Sequence, residues 1–189
     1  MAVHPPLVAY LSQERADQLA DAGLFADDPP GMAIAWPRLG GMWATTVERA
    51  RLLPEERLDE RVAGEWSFVE TLRHLIFLTD AWVGDVIDEE PTPYHRWGMP
   101  PDFLRDQAAG LGLALDARPG LDETLAVRHE RRDHVGQVIG ALTPDELARR
   151  CAPRDHQFTV AGALQAVMFE EWAHHQYAKR DLACLEAAG

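Results

Sequence analysis

Apolar residues recur at three- and four-residue intervals in four separate stretches of this chain, and no stretch shows the strict alternation of a strand. Such spacing buries one stripe of a helix, so the chain is read as all-α. The first stretch, about 36–53, places Trp36, Leu39, Trp43, Val47, Ala50 and Leu53 on one side. Pro37 suits its first turn and Pro54 its end. The second, about 67–88, opens with Ser67 and Glu70, the spacing at which each side chain satisfies a free N–H of the first turn. Its two neighbouring stripes, one through Leu72 and Leu75 and one through His74 and Leu78, predict burial over a wide arc. The third, about 122–142, turns Leu125, Val135, Val138, Ile139 and Leu142 inward, and Thr143-Pro144-Asp145-Glu146 then starts a short extra helix. The fourth runs from about Thr159 to 186.

Four amphipathic helices without strands predict a four-helix bundle over 35–189, preceded by an N-terminal extension over 1–34. Residues 7–24 fit a short amphipathic helix, set off by the breaker Asp27-Asp28-Pro29-Pro30-Gly31. The connection between the second and third helices, about 89–120, is long and rich in Pro and Gly. Its Tyr94, His95, Arg96 and Trp97 suit an ordered lid or pocket wall, since long loops in compact domains are usually functional or disordered. A crossover of this length would let the two helices run parallel.

At 189 residues the chain is expected to form one domain with a real core. A net charge of −13 argues against a nucleic-acid partner, because phosphates need a basic face. No run reaches the roughly 18–20 apolar residues that span a bilayer, and no segment has a signal-peptide pattern. Cys151 and Cys184 lie in no metal-ligand spacing and read as reduced thiols. The expected location is the cytoplasm.

The chemistry concentrates in Glu170-Glu171-Trp172-Ala173-His174-His175. Glu170 with His174, or Glu171 with His175, can aim an acid and an imidazole at one point, as residues four apart share a helix face. His74 on another helix would complete a three-ligand site for a divalent metal with open positions, the arrangement of a reactive centre. Periodicity favours the second register, because Leu164, Met168, Glu171, His175, Ala178, Leu182 and Leu185 form a continuous seam. An acid and an imidazole in such a seam are costly unless paired or metal-bound. The plainer readings are a Glu–His pair on a solvated face and a core histidine at 74. His95 in the crossover, Arg131 and His134 on the third helix, and Tyr177 one turn after His174 are further candidates for a pocket. His129 and His156 read as solvent-facing.

Trp66-Ser67-x-x-Glu70-x-Leu72-x-His74-Leu75 resembles the second-helix motif of the DinB-like, damage-inducible superfamily. Glu170-Glu171-Trp172-x-His174-x-x-Tyr177-Ala178-x-Arg180-Asp181-Leu182 resembles the last-helix motif of its actinobacterial members, and the resemblance spans about residues 35–186. It implies a four-helix bundle with a divalent metal, often zinc or nickel, near one end. Most members use three His; the acid here is similar to the site of mycothiol-dependent maleylpyruvate isomerase, and motif-to-motif correspondence implies His74, Glu170 and His174. The implied chemistry is that of a thiol S-transferase acting on a small electrophile with mycothiol or a similar thiol. The isomerase also draws on a second domain that these 189 residues do not include, so isomerisation itself is not expected. A metal-dependent hydrolase and a non-catalytic, dimeric metal-binding bundle are the alternatives, and a homodimer fits the resemblance.

Overall fold

The first long helix begins where the sequence reads as a breaker. In the computed structural model, which describes residues 12–151 and 158–188, Asp28 adopts an extended conformation and its Oδ1 accepts the Gly31 N–H at 2.7 Å. A Cβ at position 31 would lie 2.6 Å from that oxygen, so glycine leaves the cap its space. Pro29 and Pro30 occupy the first turn, where their missing N–H groups cost nothing. Helix α2 therefore spans Pro29–Ala50, not 36–53, and Pro37 sits inside it on the exposed side. The boundary expected at residue 34 falls within this helix. Upstream, α1 spans Gln13–Asp21, capped by Ser12, and buries Leu19 in the same core as Leu24 and Met32. Residues 7–11 of the helix expected at 7–24 lie outside the described residues.

A 3-10 turn at Glu55–Asp59 and left-handed residues at Ala63 and Gly64 lead the chain to Trp66 and the cap of α3, Phe68–Thr79. The expected capping box is present: Ser67 Oγ accepts from Glu70 N at 3.2 Å, and Glu70 Oε2 accepts from Ser67 N at 3.0 Å. Arg61 grips both carboxylate oxygens of Glu70 at 2.8 Å and fixes this corner. Every residue of α3 except Glu70 is buried, as the double stripe predicts. From Asp80 to Ile87 the helix widens into a π-helical segment, a departure that frequently accompanies functional sites.

The crossover carries a 3-10 turn at Asp102–Gln107 and ends at α4, Leu121–Gly140. The short α5, Pro144–Ala148, is capped by Thr143, and α6, Val160–Ala187, by Thr159. α2 packs on α4 and α6, and α3 also packs on α4 and α6. The bundle is thus a square in the order α2, α4, α3, α6, with α2 and α3 diagonal. Among the described residues there is no strand beyond a single bridge between Arg150 and Thr159, and no helix is long and apolar enough to cross a membrane.

Candidate metal centre

His74 comes from the middle of α3, and Glu170 and His174 from successive turns of α6, the helix beside it. Their ligand atoms all lie within 4.8 Å of one another. His74 Nδ1 is 2.8 Å from the Met99 carbonyl oxygen, to which it donates, leaving the Nε2 lone pair for a metal. His174 Nδ1 stands 3.0 Å from both the carbonyl oxygen and Oε2 of Glu170. Burial, and then the neighbouring His174, push His74 well below its ordinary pKa, so its imidazole is neutral at pH 7, as ligation requires.

Trp66 roofs the cluster. Its ring centroid is 4.2 Å from that of His74 and 6.2 Å from that of His174, the latter stacked. Tyr177 meets His174 edge-on at 5.8 Å. His174, Trp66 and Tyr177 also line a cavity of about 240 Å³ with Arg61, Asp102 and Asp181, which gives a small molecule access to this edge of the cluster. The donor set fits a divalent transition metal: two neutral nitrogens and one carboxylate oxygen leave open positions and residual positive charge. Glu170 is buried, and no arginine or lysine pairs with it among the described residues. A buried carboxylate in that condition calls for a compensating cation.

The alternative register serves a different purpose. Glu171, 1% exposed, accepts from Arg128 at 2.9 and 2.7 Å, and Arg132 Nη1 lies 3.1 Å away. Burial alone would raise its pKa, but the two guanidiniums hold it below the ordinary carboxylate value. His175 Nε2 is 2.9 Å from Thr46 Oγ1 and 3.2 Å from the Met42 carbonyl oxygen, and Trp43 Nε1 donates to the Glu171 carbonyl oxygen at 3.1 Å. Glu171 and His175 are thus a buried acid and imidazole, as their place in the apolar seam implies, and arginines compensate the acid.

The family model of the DinB superfamily matches residues 38–178, a span that holds all three clustered residues. The chain belongs to the DinB superfamily. Comparison with curated proteins gives no match. Members of the DinB superfamily often bind metal, and in this DinB domain the His74–Glu170–His174 cluster can hold one.

Three other sequence candidates gather elsewhere in the DinB bundle, around the start of the π-helical segment. Asp80, 5% exposed, accepts from the His95 backbone N–H at 2.7 Å and from Arg131 Nε at 2.9 Å. Burial, only partly offset by these partners, pushes its pKa up to about 6. Asp80, Arg131 and His134 line a separate cavity of about 160 Å³. His134, a pocket candidate from the sequence, lines this cavity and is half-exposed, with Nε2 2.6 Å from Asp88 Oδ2. Of the candidates beyond the cluster, only Tyr177 lines the cavity beside His174. His129 is exposed beside Asp133, as expected, and His156 lies outside the described residues.

Sequence reasoning missed Met99, whose carbonyl orients His74, and Arg73, which ties down the segment that carries it. A backbone carbonyl leaves no trace in residue identity. Arg73 left one: a guanidinium between the two stripes of a helix expected to be buried over a wide arc.

Proposed function

We propose that this DinB-superfamily chain is a metal-dependent cytoplasmic enzyme that transfers a low-molecular-weight thiol, of the mycothiol kind, to a small electrophile. The observation that carries the reading is the convergence of His74, Glu170 and His174 beside a cavity walled by Trp66 and Tyr177. Zinc or nickel suits two imidazoles and a carboxylate, and such an ion supplies the positive charge that favours thiolate over thiol and polarises the electrophile.

The chain's own groups do the rest. Met99 holds the Nδ1–H of His74, so that ring keeps one tautomer and one orientation. Trp66 covers both imidazoles and keeps bulk water from that side. Tyr177, half-exposed at the cavity wall, brings a phenolic O–H that can donate to an oxygen of the electrophile. The sulfur forms the new bond to carbon, the thiol proton passes to solvent, and the leaving group departs with its electron pair.

Elemental analysis, followed by thiol-consumption assays against a panel of small alkylating and acylating electrophiles, tests the reading. Near-stoichiometric zinc or nickel, with thiol-dependent turnover lost in His74→Ala, supports it. Turnover without thiol would make the protein a metal-dependent hydrolase, and metal without turnover a non-catalytic bundle. Failure to take up either metal ends the proposal.

A further inference from the structure

The outward face of α2 carries a seam of its own. Ile34, Arg38, Gly41, Thr45, Glu48 and Leu52 follow one another at alternating steps of four and three residues, and all are exposed. That is the 3.5-residue spacing of a helix that packs along a second helix, here turned away from the bundle core. Ile34 and Leu52 close its ends, 64% and 84% exposed. Arg51 keeps a helical backbone past the end of α2, so Leu52 stays in phase with Ile34 across about five turns, or about 27 Å. Single exposed apolar side chains are ordinary, but these two share one charge-poor face. α2 has only Arg38, Glu48 and Arg49 as charged residues in 22, whereas α4 has seven Asp, Glu or Arg in 20.

The two charges of the seam are of opposite sign, and neither has an ionic partner. Arg38 Nη1 donates to the Gly23 carbonyl oxygen at 2.7 Å, and no carboxylate pairs with it among the described residues. Glu48 has no cationic partner among them either, because its neighbours Arg49 and Arg51 are taken by Glu186 and Asp122. The middle of the seam is small. A Cβ at Gly41 would meet nothing within 4 Å, which leaves room for the close approach of another backbone. Thr45 Oγ1 donates to the Gly41 carbonyl oxygen at 3.2 Å, so covering this hydroxyl strands no donor.

We propose that a second copy of the chain packs on this seam, α2 against α2 and antiparallel, about a two-fold axis through its middle. Turned end for end, the seam falls on itself: Ile34 meets the partner's Leu52, Arg38 meets the partner's Glu48, and Gly41 meets the partner's Thr45. Such self-complementarity is what a two-fold interface requires. A parallel pair would instead set Arg38 on Arg38 and Glu48 on Glu48, and like charges across a helix pair repel. Two copies at a net charge of −13 also repel at a distance, and this face, with one charge of each sign, adds nothing to that repulsion. The interface is independent of the metal cluster and stands or falls without it.

Sedimentation equilibrium of the full chain tests the proposal, under a reductant so that the exposed Cys184 cannot link copies. A contact one helix wide is at the small end of specific interfaces, so a reversible dimer is expected between about 1 and 300 µM. Arg38→Glu and Glu48→Arg each bring like charges together at both symmetric contacts and should weaken the dimer at least about tenfold. An equimolar mixture of these two variants should form a heterodimer, and a chain carrying both substitutions should dimerise within about threefold of the parent. Gly41→Trp should be a monomer with the parent's circular dichroism, because the added ring fills the middle of the seam and meets nothing within its own chain. His74→Ala should dimerise like the parent. A monomer throughout the concentration range would overturn the proposal. So would a dimer that neither Glu48→Arg nor Gly41→Trp weakens, or charge variants that do not rescue each other.

Discussion

Glu170 and Glu171 are consecutive on α6 and belong to two unrelated networks. Glu170 Oε2 is 3.0 Å from His174 Nδ1 and joins the cluster with His74, between α3 and α6. Glu171 reaches the other way and takes Arg128 through both oxygens, across the diagonal to α4. One helical step of about 100° therefore separates a carboxylate suited to a metal from one that holds the bundle together.

The two networks separate under mutation. His74→Ala, His174→Ala and Glu170→Gln should each lower zinc or nickel affinity by at least about 10–100-fold, since even residues that merely orient ligands have effects of that size. His175→Ala should leave affinity unchanged, because its Nε2 is engaged by Thr46 and Met42. Metal titration of the four variants checks this. Loss of binding in His175→Ala with retention in His174→Ala would reverse the assignment.

Glu171→Gln should destabilise the fold by about 3–5 kcal/mol while sparing the metal, because it leaves two guanidiniums without their carboxylate. The parent should show the matching pH dependence. Arg128 and Arg132 hold the folded-state pKa of Glu171 below its ordinary value of 4.5, overcoming the opposing effect of burial. Its stabilisation is thus complete above pH 4.5 and is lost as pH falls through the lower, folded value. Urea unfolding of parent and variant at several acidic pH values measures the difference, which should shrink toward acid.

The local signals were the readable ones. Ser67 with Glu70 and Thr143 cap their helices as the sequence predicts, since a cap depends on residues three positions apart, and α6 starts after Thr159 as expected. Asp28 escaped because Asp-Pro-Pro-Gly serves equally as a breaker and as a helix start. The candidate metal cluster needed the paired motifs: the periodicity of the seam points to burial at Glu171 and His175 but carries no sign that Arg128, 43 positions away, supplies the compensating charge. The grouping of His95, Arg131 and His134 was invisible for a related reason. It depends on Asp80, whose position follows from a π-helical segment that no α-helical periodicity describes.

Asp80 imposes a pH dependence of opposite sign to that of Glu171. Its folded-state pKa of about 6 stands above the ordinary 3.8, so the folded protein binds the proton more tightly than the unfolded chain. Stability from this group is greatest below about pH 4 and declines as pH rises toward 6, by on the order of 3 kcal/mol in all. Asp80→Asn keeps an oxygen for the His95 N–H and cannot ionise. Its stability should therefore be flatter than the parent's between pH 4 and 6, when both are followed by thermal or urea unfolding. Parallel curves would show that Arg131 already compensates the charge.

Arg73 should matter to the metal without touching it. It is 1% exposed, and its guanidinium donates to three crossover carbonyls: Trp97 at 2.9 Å, Ala117 at 2.8 Å and Ala114 at 3.1 Å. Between those anchors runs Met99, whose N–H donates to the Arg73 carbonyl at 3.1 Å and whose own carbonyl holds His74 Nδ1 at 2.8 Å. Arg73→Met leaves three carbonyls without their donor, at about 1–3 kcal/mol for each that stays buried. It also frees Met99 to drift, so His74 loses its fixed tautomer. The folded variant should bind zinc about 10–100-fold more weakly than the parent, and nitrogen-15 NMR of His74 should show mixed tautomers in place of one. Arg73→Lys, with a single ammonium for three acceptors, should fall between. Unchanged zinc affinity in folded Arg73→Met would mean that α3 alone orients His74, and that the crossover contributes stability but no geometry to the site.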